Sequence, residues 1–75
     1  MRIYISRDVI SETFPSHVSE VEDFLIENIR SLGHDPLVVD EYVRQSLQAE
    51  EILEEASSDA YSRMQDELEK QENES

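Results

Sequence analysis

The chain has 75 residues, of which 19 are Asp or Glu and 6 are Lys or Arg, so its formal net charge is −13. This charge excludes proteins that hold nucleic acid or an anionic membrane surface with clustered Lys and Arg. The absence of cysteine excludes a disulfide framework, a thiolate metal site and a cysteine nucleophile, and it favours a cytoplasmic location. No apolar run approaches the roughly 20 residues that span a bilayer, and no signal peptide is recognisable.

The small size of the chain raises the question of how it is stabilised. A single core of this size rarely supplies more than about 3–5 kcal/mol. Repulsion among the excess carboxylates weakens the compact monomer further. Without disulfides or a visible metal cluster, association is the remaining source of stability, and we expect a homodimer.

The first half of the chain predicts a strand, a loop and a helix. Arg2–Ser6 is rich in β-branched and aromatic residues, which indicates a strand, whereas residues 7–15 show no clear period and are predicted as a loop. Ser16 is a candidate N-cap, and Gly33 is placed to end a helix over residues 16–32. The apolar stripe of this helix recurs at spacings of three and four: Val18, Val21, Leu25, Ile29 and Leu32, widened by Phe24 and Ile26.

A second strand follows, and with it a β-α-β unit. Pro36 cannot continue a helix, and Leu37–Val39 is a short apolar run, so two parallel strands flanking a helix are predicted. Two strands alone make a poor sheet. Either Val9 and Ile10 supply a third strand, or a second protomer extends the sheet.

The rest of the chain predicts one long helix. Asp40 is a candidate N-cap, and residues 40–70 contain good helix formers with neither Gly nor Pro. Ser57-Ser58-Asp59 is a weak point, either a kink or the N-cap of a separate helix, and residues 71–75 are expected to fray. The apolar stripe comprises Val43, Leu47, Ile52, Leu53, Ala56, Ala60, Met64 and Leu68, flanked by Tyr42, Ala49 and Tyr61. The predicted fold is therefore a single small α/β domain over residues 1–70, a β-α-β unit followed by a long or kinked acidic helix.

Seven carboxylates share the side of this helix opposite the apolar stripe. They span about 31 Å, or one charge per roughly 4.5 Å, which is of the same order as one phosphate per about 3.4 Å of a DNA strand. A helix that is merely soluble normally mixes signs, whereas few bases are interleaved here. The seven residues are Glu51, Glu54, Glu55, Asp59, Asp66, Glu69 and Glu72. A solvated helix face and adaptation to high salt are the alternative interpretations of the same pattern.

In size, charge and acidic helix, the chain resembles the small DNA-mimic proteins with which phages inhibit host or defence proteins. The resemblance implies a protein that is not an enzyme, needs no cofactor or metal, and acts in the cytoplasm of a host cell. It implies a basic DNA-binding protein as partner, with a nucleoid-associated protein favoured. The residues expected to meet that partner's Lys and Arg are Glu51, Glu54, Glu55, Asp59, Asp66 and Glu69, with Glu41, Glu22 and Asp23 as outlying contributors.

Two other interpretations remain open from the residues. A small regulatory or antitoxin-like adaptor would dock the apolar stripe of its last helix, including Leu53, Ala56 and Met64, into a groove of its partner. The first strand and the Leu32-Gly33-His34 turn are also similar to the opening segment of nucleoside deoxyribosyltransferase-like proteins. That similarity covers less than half of the chain and implies a comparable β-α-β shape, with Ser6, Arg7 and Asp8 where such folds place ligands. For His17 and His34, positions at helix ends favour structural roles.

Overall fold

The computed structural model describes residues 1–73, and residues 74 and 75 lie outside the described part. The elements are β1 (Arg2–Ser6), α1 (Arg7–Thr13), α2 (Val18–Ser31), β2 (Asp35–Val39) and α3 (Leu47–Asn73). The two strands are parallel, with Arg2 opposite Asp35 and Ser6 opposite Val39. This confirms the predicted α/β fold, in which a helix lies between two parallel strands and a long helix follows. Val9 and Ile10 do not form a third strand, since the sheet within the described residues has two.

The core lies between one face of the sheet and the two longer helices. Ile3 and Ile5 of β1 are almost completely buried, as successive residues on one face of a strand can be. Val38 of β2 packs against the same cluster, while Leu37, on the opposite face of the sheet, is 39 % exposed. The helices contribute Val21, Leu25 and Ile29 from α2 and Ala49, Ala56, Ala60 and Met64 from α3. The sheet is therefore covered on one face only.

The segment after β1 is a helix, so the predicted loop over residues 7–15 is wrong. The Ser6 hydroxyl accepts a hydrogen bond from the Val9 N–H at 3.4 Å and caps α1. Ile10 and Phe14 are both buried, four residues apart, whereas Val9 is exposed. The helix is too short for its period to be visible in the sequence, and it forms because one capping hydroxyl and two apolar contacts hold it.

The boundaries of α2 differ slightly from the prediction. The helix begins at Val18 with His17 as the N-cap residue, one position after the predicted Ser16 cap, and His17 makes no side-chain capping hydrogen bond. At the other end, Gly33 has a φ of +86°, the left-handed conformation that glycine adopts without strain. The predicted helix end at this glycine is confirmed.

The long helix starts later than predicted and is not broken. Ser46 rather than Asp40 caps it, since its hydroxyl accepts from the Ala49 N–H at 3.2 Å. Residues 40–46 contain good helix formers, yet they form an irregular connection that returns the chain to β1. The helix is continuous through Ser57 and Ser58, and it runs to Asn73, beyond the boundary from which we expected fraying. None of the helices in residues 1–73 combines the length and apolar character needed to cross a membrane.

The connection also closes the free edge of β1. The Gln45 side chain accepts a hydrogen bond from the Tyr4 N–H at 2.8 Å and donates one to the Tyr4 carbonyl at 3.1 Å. The primary amide thus makes the pair of bonds that a neighbouring strand would otherwise make. This role explains why residues 40–46 are not helical and why α3 begins only after Ser46.

We expect the Gln45→Ala variant to be less stable by about 1–2 kcal/mol, because it leaves a half-buried N–H and carbonyl without partners. Urea unfolding followed by circular dichroism measures this difference. Gln48→Ala is the matched control, since Gln48 is exposed in the first turn of α3 and its loss should leave stability unchanged. Equal midpoints for the two variants would show that Gln45 does not support the strand edge.

Candidate functional site: the acidic face of the last helix

Six exposed carboxylates lie on one side of α3, four of them between Glu51 and Asp59 and two at Asp66 and Glu69, and we call this side the acidic face. At about 100° per residue they occupy an arc of about 140°, centred opposite the buried stripe of the helix. The packing of Ala56, Ala60 and Met64 against α2 and β1 fixes this orientation. All six side chains are exposed: Glu51, Glu54, Glu55, Asp59, Asp66 and Glu69. The side chain of Glu72, the seventh predicted member, lies outside the described part of the chain.

The basic residues that form ion pairs do so away from the acidic face. Arg2 contacts Asp35 at 3.2 Å, and Arg7 contacts Glu22 at 3.1 Å. Arg63, although it belongs to α3, points towards α2, where it lies 3.9 Å from Glu27. There its guanidinium lies 4.6 Å from the centroid of the Phe24 ring.

Consequently, within residues 1–73 no Lys or Arg lies within ion-pair distance of any of the six carboxylates. Neighbouring members of the acidic face, three and four residues apart, repel one another. The six carboxylates therefore make no ion pair that would stabilise the fold within the described residues. An external cation, or a cationic surface, would meet them without displacing an internal partner.

Part of the acidic face borders an open groove of about 680 Å³ between α2 and α3. One wall carries Glu51, Glu54, Glu55 and Asp59, and the other is the C-terminal end of α2 at Ser31 and Leu32. A helix C-terminus carries a partial negative charge, which adds to that of the carboxylates. The groove therefore suits a Lys or Arg side chain. Sequence reasoning missed the α2 wall, although the predicted helix end at Gly33 was a usable signal.

The three outlying residues differ in availability. Glu41, in the connection before α3, and Asp23, on α2, are both exposed. Glu22 is engaged, because its two carboxylate oxygens accept from the Arg7 guanidinium at 3.1 and 3.4 Å and only 14 % of its side chain is exposed. Those hydrogen bonds, together with the carboxylate charge, raise the pKa of Arg7. We leave Glu22 out of the candidate surface.

Of the residues considered for chemistry, Ser6, Arg7 and His17 make contacts within the fold, whereas the His34 ring has a nitrogen without a partner. Ser6 is buried and caps α1, and Arg7 holds Glu22 and Asp40. His17 lies 3.7 Å from Glu20 within the first turn of α2, and the Nδ1 atom of His34 is buried without a hydrogen-bond partner. No group of three or more His, Asp or Glu side chains in residues 1–73 is arranged to hold a metal ion.

Tyr42, which precedes α3, and Tyr61, which lies within it, both have a raised pKa. Tyr42 donates a hydrogen bond to Glu50 at 3.0 Å, and this bond to the carboxylate raises the pKa of Tyr42. Burial raises the pKa of Tyr61, whose ring lies 5.5 Å from that of Phe14, and the charge of Glu12 adds to the rise. In the first turns of α3, Glu50 is thus the one carboxylate that accepts a side-chain hydrogen bond from the rest of the described chain.

Most of the apolar stripe that an adaptor would present is packed within the chain itself, although Leu47 at its start is 77 % exposed. Ala56 and Met64 are buried in the core, and Leu53 is packed against it. Substitutions there would unfold the protein rather than test a docking surface. The other side of α3, the acidic face, is the side open to a partner.

Comparison with protein-family models, with curated proteins and with solved structures gives no significant match. The function has to be inferred from the residues and geometry of this chain.

We expect neutralising the acidic face to leave the fold intact, because its carboxylates have no internal partners. A quadruple variant with Glu51, Glu54, Glu55 and Glu69 changed to Gln should be as stable as the natural chain, or more stable by up to about 1 kcal/mol. Urea unfolding at low salt measures this. Glu22→Gln is the contrasting variant and should lower stability, because it breaks the contact with Arg7. A destabilised quadruple variant would mean that the carboxylates serve the fold.

Proposed function

We propose that this protein is a DNA mimic that binds the DNA-binding surface of a basic protein and blocks its access to DNA. The observation that carries the proposal is the acidic face, six exposed carboxylates on one rigid helix with no Lys or Arg of the described chain paired to them. Each carboxylate takes the place of a phosphate opposite a Lys or Arg of the partner. Binding is stoichiometric, and no covalent step is involved.

The spacing of the charges supports this assignment. Glu69 follows Glu51 by 18 residues, which corresponds to roughly 27 Å of helix. Six charges over that length give one per roughly 4.5 Å, close to the spacing of about 3.4 Å between phosphates along one DNA strand. Because α3 is packed into the core from Ala49 to Met64, the backbone that carries the row is already ordered before binding.

The class of partner follows from the same charges. A net charge of −13 on 75 residues attracts basic surfaces over a distance of about 10 Å at 0.1 M salt and accelerates encounter with them. Among basic DNA-binding proteins, we favour a nucleoid-associated protein in the cytoplasm of a host cell. Such proteins contact DNA mainly through its backbone, so an array of charges without bases is a sufficient imitation.

The test is displacement of a fluorescent DNA duplex from a purified nucleoid-associated protein. The natural chain should release the duplex, whereas the quadruple Glu→Gln variant of the acidic face should need at least about tenfold more protein, because four charge contacts are lost. Release should also weaken steeply between about 0.1 and 0.5 M salt, since screening reduces the attraction.

The matched control removes the same number of charges, four, from other parts of the surface. It changes Glu12, Glu20, Glu27 and Glu67 to Gln, all of them exposed and outside the acidic face. This variant should retain most of the inhibition. If both variants lose it equally, net charge rather than the array is responsible. If neither the natural chain nor the control displaces DNA from any basic protein tested, the proposal is wrong.

A further inference from the structure

The two edges of the sheet are treated differently by the fold. On the outer side of β1, the Gln45 side chain bonds to both backbone groups of Tyr4. On the outer side of β2, no strand of the described chain is paired. An open strand edge carries unpaired N–H and carbonyl groups and is a template for pairing with another chain.

The backbone groups on that open edge can be identified by alternation. The Asp35 N–H donates to the Met1 carbonyl at 2.8 Å and so faces β1. Successive residues of a strand direct their hydrogen-bonding groups to opposite sides, so Leu37 and Val39 also face β1, whereas Pro36 and Val38 face outward. Val38 is the one residue of β2 that offers both a donor and an acceptor on the open edge.

We propose that a second copy of this chain pairs with β2 in the antiparallel direction, about a two-fold axis at Val38. The two Val38 residues then exchange N–H to carbonyl hydrogen bonds, as a hydrogen-bonded antiparallel pair does. The result is a four-stranded sheet in which each protomer supplies its two strands. The axis makes the interface self-complementary, as a homodimer requires.

The neighbouring positions fit this register. Two residues before Val38, Pro36 has no N–H to donate. In the proposed pairing it lies opposite Asp40 of the second copy. The Asp40 carbonyl already accepts from the Asp8 N–H of its own chain at 3.1 Å, so it needs no donor from Pro36. The N–H that Pro36 lacks would therefore have no free acceptor in this register.

The charges near β2 are also compatible with self-association. Asp35 and Asp40, at its two ends, are paired with Arg2 at 3.2 Å and with Arg7 at 3.5 Å. Helix α3, which carries the acidic face, packs against β1 and α2. Two copies that meet along β2 thus approach through an edge whose two aspartates are each paired with an arginine, and keep their acidic faces on the outer sides.

Apolar contacts add to the backbone bonds. Leu37 is 39 % exposed, and in this register it lies beside Val39 of the second copy on the open face of the sheet. Two-stranded sheets are marginal alone, and a four-stranded one is not. The inference is independent of what the acidic face binds.

The first test compares two variants of Val38 by sedimentation equilibrium over a concentration series. The natural chain should reach twice its mass of 8.7 kDa. Val38→Pro removes the outward N–H and leaves the bonds to β1 intact, so it should raise the dimer Kd about 10- to 100-fold. Val38→Ala loses a similar amount of core packing but keeps the N–H, and it should stay within about threefold of the natural chain.

The second test uses charge and does not touch the backbone. Leu37→Lys places two cations beside the axis and should raise the Kd by a similar factor. Leu47→Lys, at a leucine that is 77 % exposed at the start of α3, makes the same change in net charge away from β2 and should not. Circular dichroism confirms that each variant folds.

The outcomes separate this proposal from the other uses of the edge. A natural chain that stays monomeric overturns it, and so does a dimer that tolerates both Val38→Pro and Leu37→Lys. A dimer that Leu47→Lys disrupts instead places the interface elsewhere and also overturns it. Added salt should strengthen the dimer, because it screens repulsion between like-charged chains, whereas it should weaken binding to a basic partner. The failure of one proposal is thus distinguishable from that of the other.

Discussion

The packing of α3 against α2 and β1 determines most of what this protein presents to its surroundings. Small residues at Ala49, Ala56 and Ala60 let the helix approach closely, and Met64 fills the space towards its end. A helix held at these positions cannot rotate about its axis. The side that faces solvent is therefore fixed, and on that side lie the carboxylates of the acidic face. The same contacts that make the core also make the candidate binding surface rigid.

The distribution of the few bases strengthens this division. Arg2 and Arg7 hold the ends of β2 through Asp35 and Asp40, and Arg63 is drawn to the Phe24 ring. These arginines pair with carboxylates of the sheet ends and of α2, and none of them pairs with the acidic face. Six of the 19 acidic residues thus lie on one side of α3 without a paired base in the described part of the chain. A surface that served solubility alone would not need this separation.

Local sequence signals were sufficient for the parts of the fold that depend on local interactions. The apolar period of α2, the glycine at its end and the β-branched runs of both strands gave the β-α-β unit. The prediction failed where a distant contact decides the conformation. Residues 40–46 favour a helix by composition, but Gln45 is needed at the edge of β1, far away in sequence. No pattern within seven residues could reveal that bond, and α1 was missed because it depends on a single cap and two buried side chains.

The candidate site was likewise predictable only as far as it depends on local sequence. A helical wheel was enough to group the six carboxylates, because the period of a helix is a local property. It could not show that Glu22 is engaged by Arg7, nor that the end of α2 forms the second wall of the groove. The wheel also left open whether the apolar stripe or the acidic face is available to a partner. The packing of α3 shows that Ala56, Ala60 and Met64 are used by the core of the chain itself, whereas the acidic face stays exposed.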